Sequence, residues 1–452
     1  MEMQIPGLRK LEQRTQIAGA GGVNDDDALA LFELGDDVVA VHRREQQHGD
    51  GEEEPEPRQP VAQRAKTKTN LAKRFALAND ATKLQQMAFA QTIALETKRN
   101  GVAKTAATLG RVGWDFTNAS ASRKSIHSFH SYPARFIPEI PRAVIRELSP
   151  PRDALVLDPF CGCGTTLVEA QQAGFASIGV DLNPIGCLIS RVKTTPLPIG
   201  FIETVERCIV AAREQSIMRL PDIPNLAHWF RVDVCEALAA LRVAIRDVEN
   251  PETQQALEAV FSSIIVRVSN QDSDTRYAAV TKNVSAEYVF EAFAEAAQTL
   301  ESMALALPIL DEAPATIINK NIFDVQPSDI PGDVGLVVTS PPYPNAYEYW
   351  LYHKYRMWWL GYDPLAVKSS EIGARAHFFS GRRREKEDFH AQMSGVFKLL
   401  AEIMREGGHC CFVMGDSKIY GQIVDNAEPL LKAATRHGFK LVFKSDQNPA
   451  RN

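Results

Sequence analysis

The chain has 452 residues, 45% hydrophobic and 23% charged, the balance of an ordinary soluble protein rather than a fibrous, coiled-coil or wholly disordered one. Fifty basic against 56 acidic side chains leave a formal charge of -6, so no protein-wide positive field draws in a polyanion and any contact with nucleic acid must come from local basic patches. No apolar run approaches the roughly 20 residues of a bilayer span and Met1 to Lys10 lacks a signal-like apolar stretch, so no membrane contact and a cytoplasmic location are expected.

Residues 1–75 show little periodic apolar pattern and contain the run GDGEEEPEPRQP from Gly49 to Pro60, so a loose or disordered tail is expected there. Leu71, Phe75, Leu77, Leu84, Met87 and Ile93 follow at helical spacing, and 76–124 is predicted to be a helical arm. From Ala154 the pattern alternates: an apolar strand ALVLD, a glycine-rich turn, a helix from about Thr165, and a second strand ASIGVD ending at Asp181. That alternation predicts an α/β fold with a doubly wound parallel sheet. Further strands are predicted at about Thr316 to Ile322, in GLVVTS ending at Ser340, in HCCFVMGD and in FKLVFKS.

Three strand–helix units take about 90 residues, yet Asp158 and Ser340 stand 182 positions apart. The excess falls within 191–310, which reads as a helical insertion. The α/β pattern is thereby divided into two stretches, 125–190 and 311–452, which the motifs below mark as a cofactor half and a catalytic half.

DPFCGCGTT, Asp158 to Thr166, stands at a strand's carboxyl end, where open α/β sheets bind ligands. Gly162 and Gly164 permit a tight turn and close ligand approach, and the helix that follows presents free N–H groups. Asp181 ends the next strand at the spacing from which an acidic side chain grips ribose hydroxyls. Asp324 adds an acceptor suited to an adenine amino group. With no GxxxxGK[ST] phosphate loop in the sequence, an adenosine ligand without polyphosphate fits best.

TSPPY, Thr339 to Tyr343, ends the fourth strand. Pro341 and Pro342 remove N–H groups and fix the backbone, so the Ser340 hydroxyl and a prolyl carbonyl are held ready to accept from a substrate amino group. Tyr343 offers a face on which a planar base stacks. An odd cysteine count with Cys410 next to Cys411 does not suggest a disulfide framework. Cys161 and Cys163 lack a second ligand pair, so no metal is expected.

With these motifs in this order, the chain resembles the S-adenosylmethionine-dependent amino-group DNA methyltransferases, particularly those that make N4-methylcytosine. HSFHSYPARFIPEIP (His127 to Pro141) is similar to the family's segment before the first strand, VDLNP (Val180 to Pro184) to its ribose turn and NIFD (Asn321 to Asp324) to its adenine-side turn. The resemblance implies a class I methyltransferase sheet, Rossmann-like, with S-adenosyl-L-methionine bound by Asp158, Phe160, Gly162, Gly164, Thr165, Asp181, Asn183 and Asp324. Ser340, Pro341, Pro342 and Tyr343 would receive a base flipped out of double-stranded DNA, and no covalent intermediate is needed. It further implies protective modification in a restriction system beside a cognate endonuclease.

Arg276, Lys282, Arg382, Arg383 and Arg384 are expected to contact DNA, with a solvated basic loop as the plainer reading of the last three. Adenine-N6 or RNA methylation, and a catalytically inactive DNA-binding remnant, stay open. One departure is visible: the family's sheet closes with an antiparallel strand after the one matched by FKLVFKS, and no sequence for it follows.

Overall fold

Seven strands of a computed structural model form the central sheet: β1 (Gln91–Thr97), β2 (Leu155–Asp158), β3 (Ser177–Asp181), β4 (Ala315–Asn319), β5 (Val334–Thr339), β6 (Met404–Met414) and β7 (Phe439–Ser445). The structure describes residues 91–97, 102–114, 125–216, 219–274, 276–307, 312–342, 348–372, 386–419 and 422–445, all within the unit Gln86–Asn452. The tail predicted over 1–75 lies outside them.

The strand order is β7-β1-β6-β5-β2-β3-β4. Pairs β2–β3, β3–β4, β2–β5 and β5–β6 are parallel. The chain therefore runs outward from β2 through β3 to β4, then returns to β5 on the other side of β2. Such a reversal opens a crevice at the strands' carboxyl ends, and Asp158, Asp181, Asn319 and Thr339 end the four strands around it. The α/β, doubly wound expectation holds.

Side chains alternate across these strands, so each strand feeds two cores. On one face Leu157, Ile178, Val180, Val337 and Phe412 pack with Phe389, Phe397 and Leu400 of α11 (Lys386–Ile403) and Leu430 of α12 (Ala427–Arg436). On the other, Val156, Leu336, Val338 and Cys411 pack with Val144 and Ile145 of α2 (Glu139–Leu148). A sheet covered on both sides explains the continuous apolar runs VVT and CCFVM.

Two expectations are corrected by β1. The helical pattern read through Ile93 ends in a strand at Gln91–Thr97, followed by the helix α1 (Val102–Leu109); the earlier part of that pattern lies outside the described residues. Ile93 and Leu95 enter one core and Ala94 the other, so the true period there is 2, not 3.6. The strand pairs antiparallel with both β6 and β7. It fills, from the N-terminal side, the antiparallel place in the sheet for which no later strand was predicted.

The insertion is helical as read: α4 (Pro184–Thr194) leads to α5 (Phe201–Glu214), α6 (Val232–Arg246), α7 (Pro251–Val268) and α8 (Ala286–Leu305). Between α7 and α8, Gln271–Ser273 and Arg276–Ala279 pair as a two-stranded hairpin. The insertion is not a separate lobe, because α7 packs on α4 and on α9 (Tyr349–Leu360), the helix after TSPPY. Arg356 of α9 is 1% exposed and donates through Nε to the Ser262 carbonyl at 3.0 Å, while pairing with Asp274 of the hairpin turn. A buried guanidinium satisfied in this way ties the insertion to the helix that follows TSPPY. No helix of the described residues is long and apolar enough to cross a membrane.

Candidate cofactor and catalytic cleft

The cleft at the strand ends is lined by Asp158, Phe160, Gly162, Thr165, Asp181, Asn183, Ser340 and Pro342, joined by Tyr132 and Arg135 from the segment before β2. Four stretches far apart in sequence thus converge on one space. It opens to solvent at the carboxyl ends of the strands, the place where open α/β sheets bind ligands.

Backbone and carboxylates build its floor together. The Gly162 N–H donates to Asp181 Oδ2 at 2.8 Å and the Asn183 N–H to Asp181 Oδ1 at 2.7 Å. Each carboxylate oxygen keeps further acceptor capacity toward the cleft. Gly162 adopts φ +49°, and a Cβ there would stand 3.1 Å from the Tyr132 ring. Gly164, at φ +76°, would put one 2.8 Å from Ser190 Oγ. The GCG spacing is therefore steric as well as conformational. Asp158 is buried and accepts from Thr339 Oγ1 at 2.6 Å and the Phe160 N–H at 3.1 Å, which locks the first loop to the end of β5, one residue before Ser340. Burial pushes both Asp158 and Asp181 up to about 6.

A buried polar network supports this loop from behind. Lys193 Nζ donates to the Cys163 carbonyl at 3.0 Å and the His127 carbonyl at 3.4 Å. Glu169 holds Arg142 through two bonds, of 2.7 and 2.9 Å, and His127 Nε2 at 2.9 Å. His130 Nδ1 lies 2.7 Å from the Ser131 carbonyl and Nε2 3.0 Å from Ser262 Oγ; burial lowers its pKa to about 3, so Nδ1 donates and Nε2 accepts. Both histidines are engaged in hydrogen bonds within the protein. Cys161 and Cys163 are buried free thiols, and no metal-binding cluster occurs among the described residues.

Asn183 caps α4, accepting the Ile185 N–H at 3.0 Å, and its Nδ2 is buried without a partner among the described residues. A donor left free beside free carboxylate acceptors suits a ligand that both accepts and donates, as a ribose and an amino-acid carboxylate do. The residues present therefore fit an adenosine-type cofactor. Asp324 departs from the expectation: it is exposed in the turn Ile322–Asp324 and does not line the cleft, whereas Lys320, Asn321 and Ile322 do.

Trp350, Tyr355 and Trp359 are buried in α9, as their helical spacing predicts, and Trp358 is partly so. Pro341 is buried at the end of β5. Arg276 opens the second strand of the hairpin. The Lys282 ammonium is engaged within the protein, donating to the Val266 carbonyl at 3.0 Å near the end of α7. Tyr343 and the run Arg382, Arg383 and Arg384 lie outside the described residues. Glu371 was not legible as a cleft residue because it follows a short helix, α10 (Pro364–Ser370), and belongs to none of the motifs.

A doubly wound sheet with a glycine-rich first loop, an acidic second strand end and a fourth-strand serine and prolines on one cleft defines a class I methyltransferase domain. The family model described as DNA methylase, of N6/N4 type, matches residues 50–190. The Type II methyltransferase M.MvaI of Kocuria varians is 26% identical over 247 residues, which are 50% of this chain and 54% of that protein. The Type II methyltransferase M.MjaII of Methanocaldococcus jannaschii is 35% identical over 94 residues, 21% of this chain and 18% of that one. M.BsoBI of Geobacillus stearothermophilus, also a Type II methyltransferase, is 35% identical over 71 residues, covering 16% and 14%. The chain thus spans about half the length of the first relative and less than a fifth of the other two. No solved structure matches it significantly. Residues 50–190 thus match the amino-group DNA methylase model, the N6 and N4 types taken together, and the chain is similar to a Type II methyltransferase over half of its length.

Proposed function

We propose that the protein is a site-specific DNA methyltransferase that moves a methyl group from S-adenosyl-L-methionine to the exocyclic N4 of cytosine, as the modifying partner of a restriction endonuclease in the cytoplasm. The observation that carries this reading is that Asp181 and the Gly162 loop share one cleft with Ser340 and Pro342, so a nucleoside cofactor and a base held by TSPPY meet there. Asp158 and Phe160 shape the loop, Thr165 lies at the first turn of the helix behind it, and Asp181 with Asn183 holds the ribose side. Asn321 and Ile322 are better placed than Asp324 for the adenine side.

The bound cofactor supplies an electrophilic methyl on a sulfonium. The chain's own part is alignment, because a direct displacement is accelerated mainly by fixing the reacting atoms in line. The Ser340 hydroxyl and a prolyl carbonyl of TSPPY each accept a hydrogen bond from the target amino group, Tyr343 stacks on the base after it is rotated out of the duplex, and the methylated nitrogen sheds one proton to solvent. Drawing both N–H bonds away from the ring plane favours a nucleophilic nitrogen. Arg276 in the hairpin and Arg382, Arg383 and Arg384 supply phosphate contacts, which give affinity without sequence information. The insertion over 191–310 is the proposed target-recognition region.

Incubating the purified chain with labelled S-adenosylmethionine and mixed-sequence DNA, then digesting to nucleosides for mass spectrometry, tests the reading. N4-methylcytosine is expected. N6-methyladenine alone would move the base assignment and keep the enzyme class; no incorporation, despite cofactor binding, would favour a non-catalytic remnant.

A further inference from the structure

Glu371 follows α10 directly and is 8% exposed. Its Oε1 accepts the Trp350 N–H, in the first turn of α9, at 2.6 Å. Its Oε2 is buried and has no hydrogen-bond partner among the described residues. The same residue lines the cleft with Asp181, Asn183 and Tyr349. Burial pushes its carboxyl well up, and repulsion from Glu348 and Asp181 adds to that, against the Trp350 bond.

Bonding the α9 N-terminus needs one carboxyl oxygen, and a glutamine would supply it. The second oxygen is left without a donor at a cost in desolvation. Two acidic side chains on one cleft also repel each other unless something with donors lies between them. A ligand carrying several donors and a positive charge removes both penalties.

We infer that Glu371 is a second acidic acceptor of the cofactor, taking through Oε2 a hydrogen bond from a hydroxyl or ammonium of the ligand that Asp181 also holds. This assignment rests on the cleft being the cofactor site. The donor belongs either to the ribose or to the amino-acid end, and the two sources are separable, because adenosine carries the first and not the second.

The test is calorimetric binding of S-adenosylhomocysteine and of adenosine to the full chain and to Glu371→Gln and Asp181→Ala, with melting temperatures measured in parallel. Glu371→Gln keeps a carbonyl oxygen for the Trp350 N–H but sets an amide donor where the acceptor stood. We expect its S-adenosylhomocysteine affinity to fall roughly ten- to a hundred-fold, the span for a hydrogen bond to a charged group, with an unchanged melting temperature. An equal fall for adenosine assigns the partner to the ribose; a fall for S-adenosylhomocysteine alone assigns it to the ammonium. Parental affinity in Glu371→Gln with weakened binding in Asp181→Ala overturns the inference and leaves the cofactor site standing. A loss that comes only with a lowered melting temperature also overturns it, in favour of a purely structural role. Absence of binding by the parental chain would overturn the cofactor reading, and this assignment with it.

Discussion

The two halves of the sheet differ in what their strand ends carry. In the parallel half, β2, β3, β4 and β5 finish side by side, and each hands a polar residue or turn to the cleft. In the other half β1 runs against β6 and β7, so its carboxyl end lies at the opposite rim, where Thr97 Oγ1 donates to the Arg405 carbonyl at 2.9 Å beside the start of β6. Ile93, Ala94 and Leu95 are at most 1% exposed, and the strand contributes packing and hydrogen bonds within the sheet. Parallel strands concentrate function at one rim of a sheet; an antiparallel strand set among them adds stability without adding chemistry.

Disturbing the packing half should therefore cost stability first. Ala94→Pro removes an N–H and inserts a ring in a strand paired on both sides. A loss of about 1 to 3 kcal/mol for the stranded buried carbonyl, with the ring's steric cost added, is expected, read as a large fall in the denaturation midpoint; a variant that melts with the parental chain would mean that β1 is dispensable.

Gly164→Val lies in the other half, yet it belongs next in size. Its φ of +76° and the 2.8 Å approach to Ser190 Oγ predict about 1 to 3 kcal/mol of backbone strain before any clash is counted. Both the melting temperature and cofactor affinity should drop, which would show that the cleft's loop is fixed by packing behind it.

Asp181→Ala should separate the two halves cleanly. Cofactor affinity is expected to weaken by about 1.5 to 3 kcal/mol with little change in the melting temperature, measured by calorimetry and thermal unfolding. Unchanged affinity would remove Asp181 from the site. A pH series examines the same group with a smaller effect. Burial raises Asp181 to about 6, and ribose hydroxyls bind the ionised form, so affinity should be level above that pH and fall as pH drops through it. The fall is up to about ten-fold, or 1.4 kcal/mol, per unit. Asp158 is raised to the same range, so the assignment is checked with Asp181→Asn, whose weaker binding should vary less across this window.

Ser340→Ala is expected to have the smallest effect, about 0.5 to 1.5 kcal/mol for one neutral hydrogen bond. It should appear in single-turnover methyl transfer and not in cofactor affinity. A variant that transfers methyl at the parental rate would leave TSPPY as a turn.

Much of the parallel half was legible because its signals are local. A buried strand on a doubly covered sheet reads as an apolar run, and a tight loop at its end demands glycine at Gly162 and Gly164. The acidic strand end at Asp181 and the proline-fixed turn after Thr339 are equally local. The helices of the insertion followed from apolar spacing. Asp324 shows the limit of such reading: its position in the motif suggested a contact, but the turn Ile322–Asp324 exposes it and brings Asn321 and Ile322 to the cleft.

What only the tertiary structure decided concerns residues whose partners lie far along the chain. In β1 three successive residues are buried in two different cores, so no alternation of polarity marks the strand, and its pairing partners stand more than 300 positions away. Lys193 could pass for a surface lysine until its ammonium is seen bonding the Cys163 and His127 carbonyls. Glu371 reaches the cleft because α10 returns the chain toward Trp350. Local backbone chemistry is written in adjacent residues, and so the sequence by itself determined the sheet's parallel half and its loops. Burial and long-range pairing depend on the whole fold, so the closing strand, the support behind the loop and the second acidic residue were decided there.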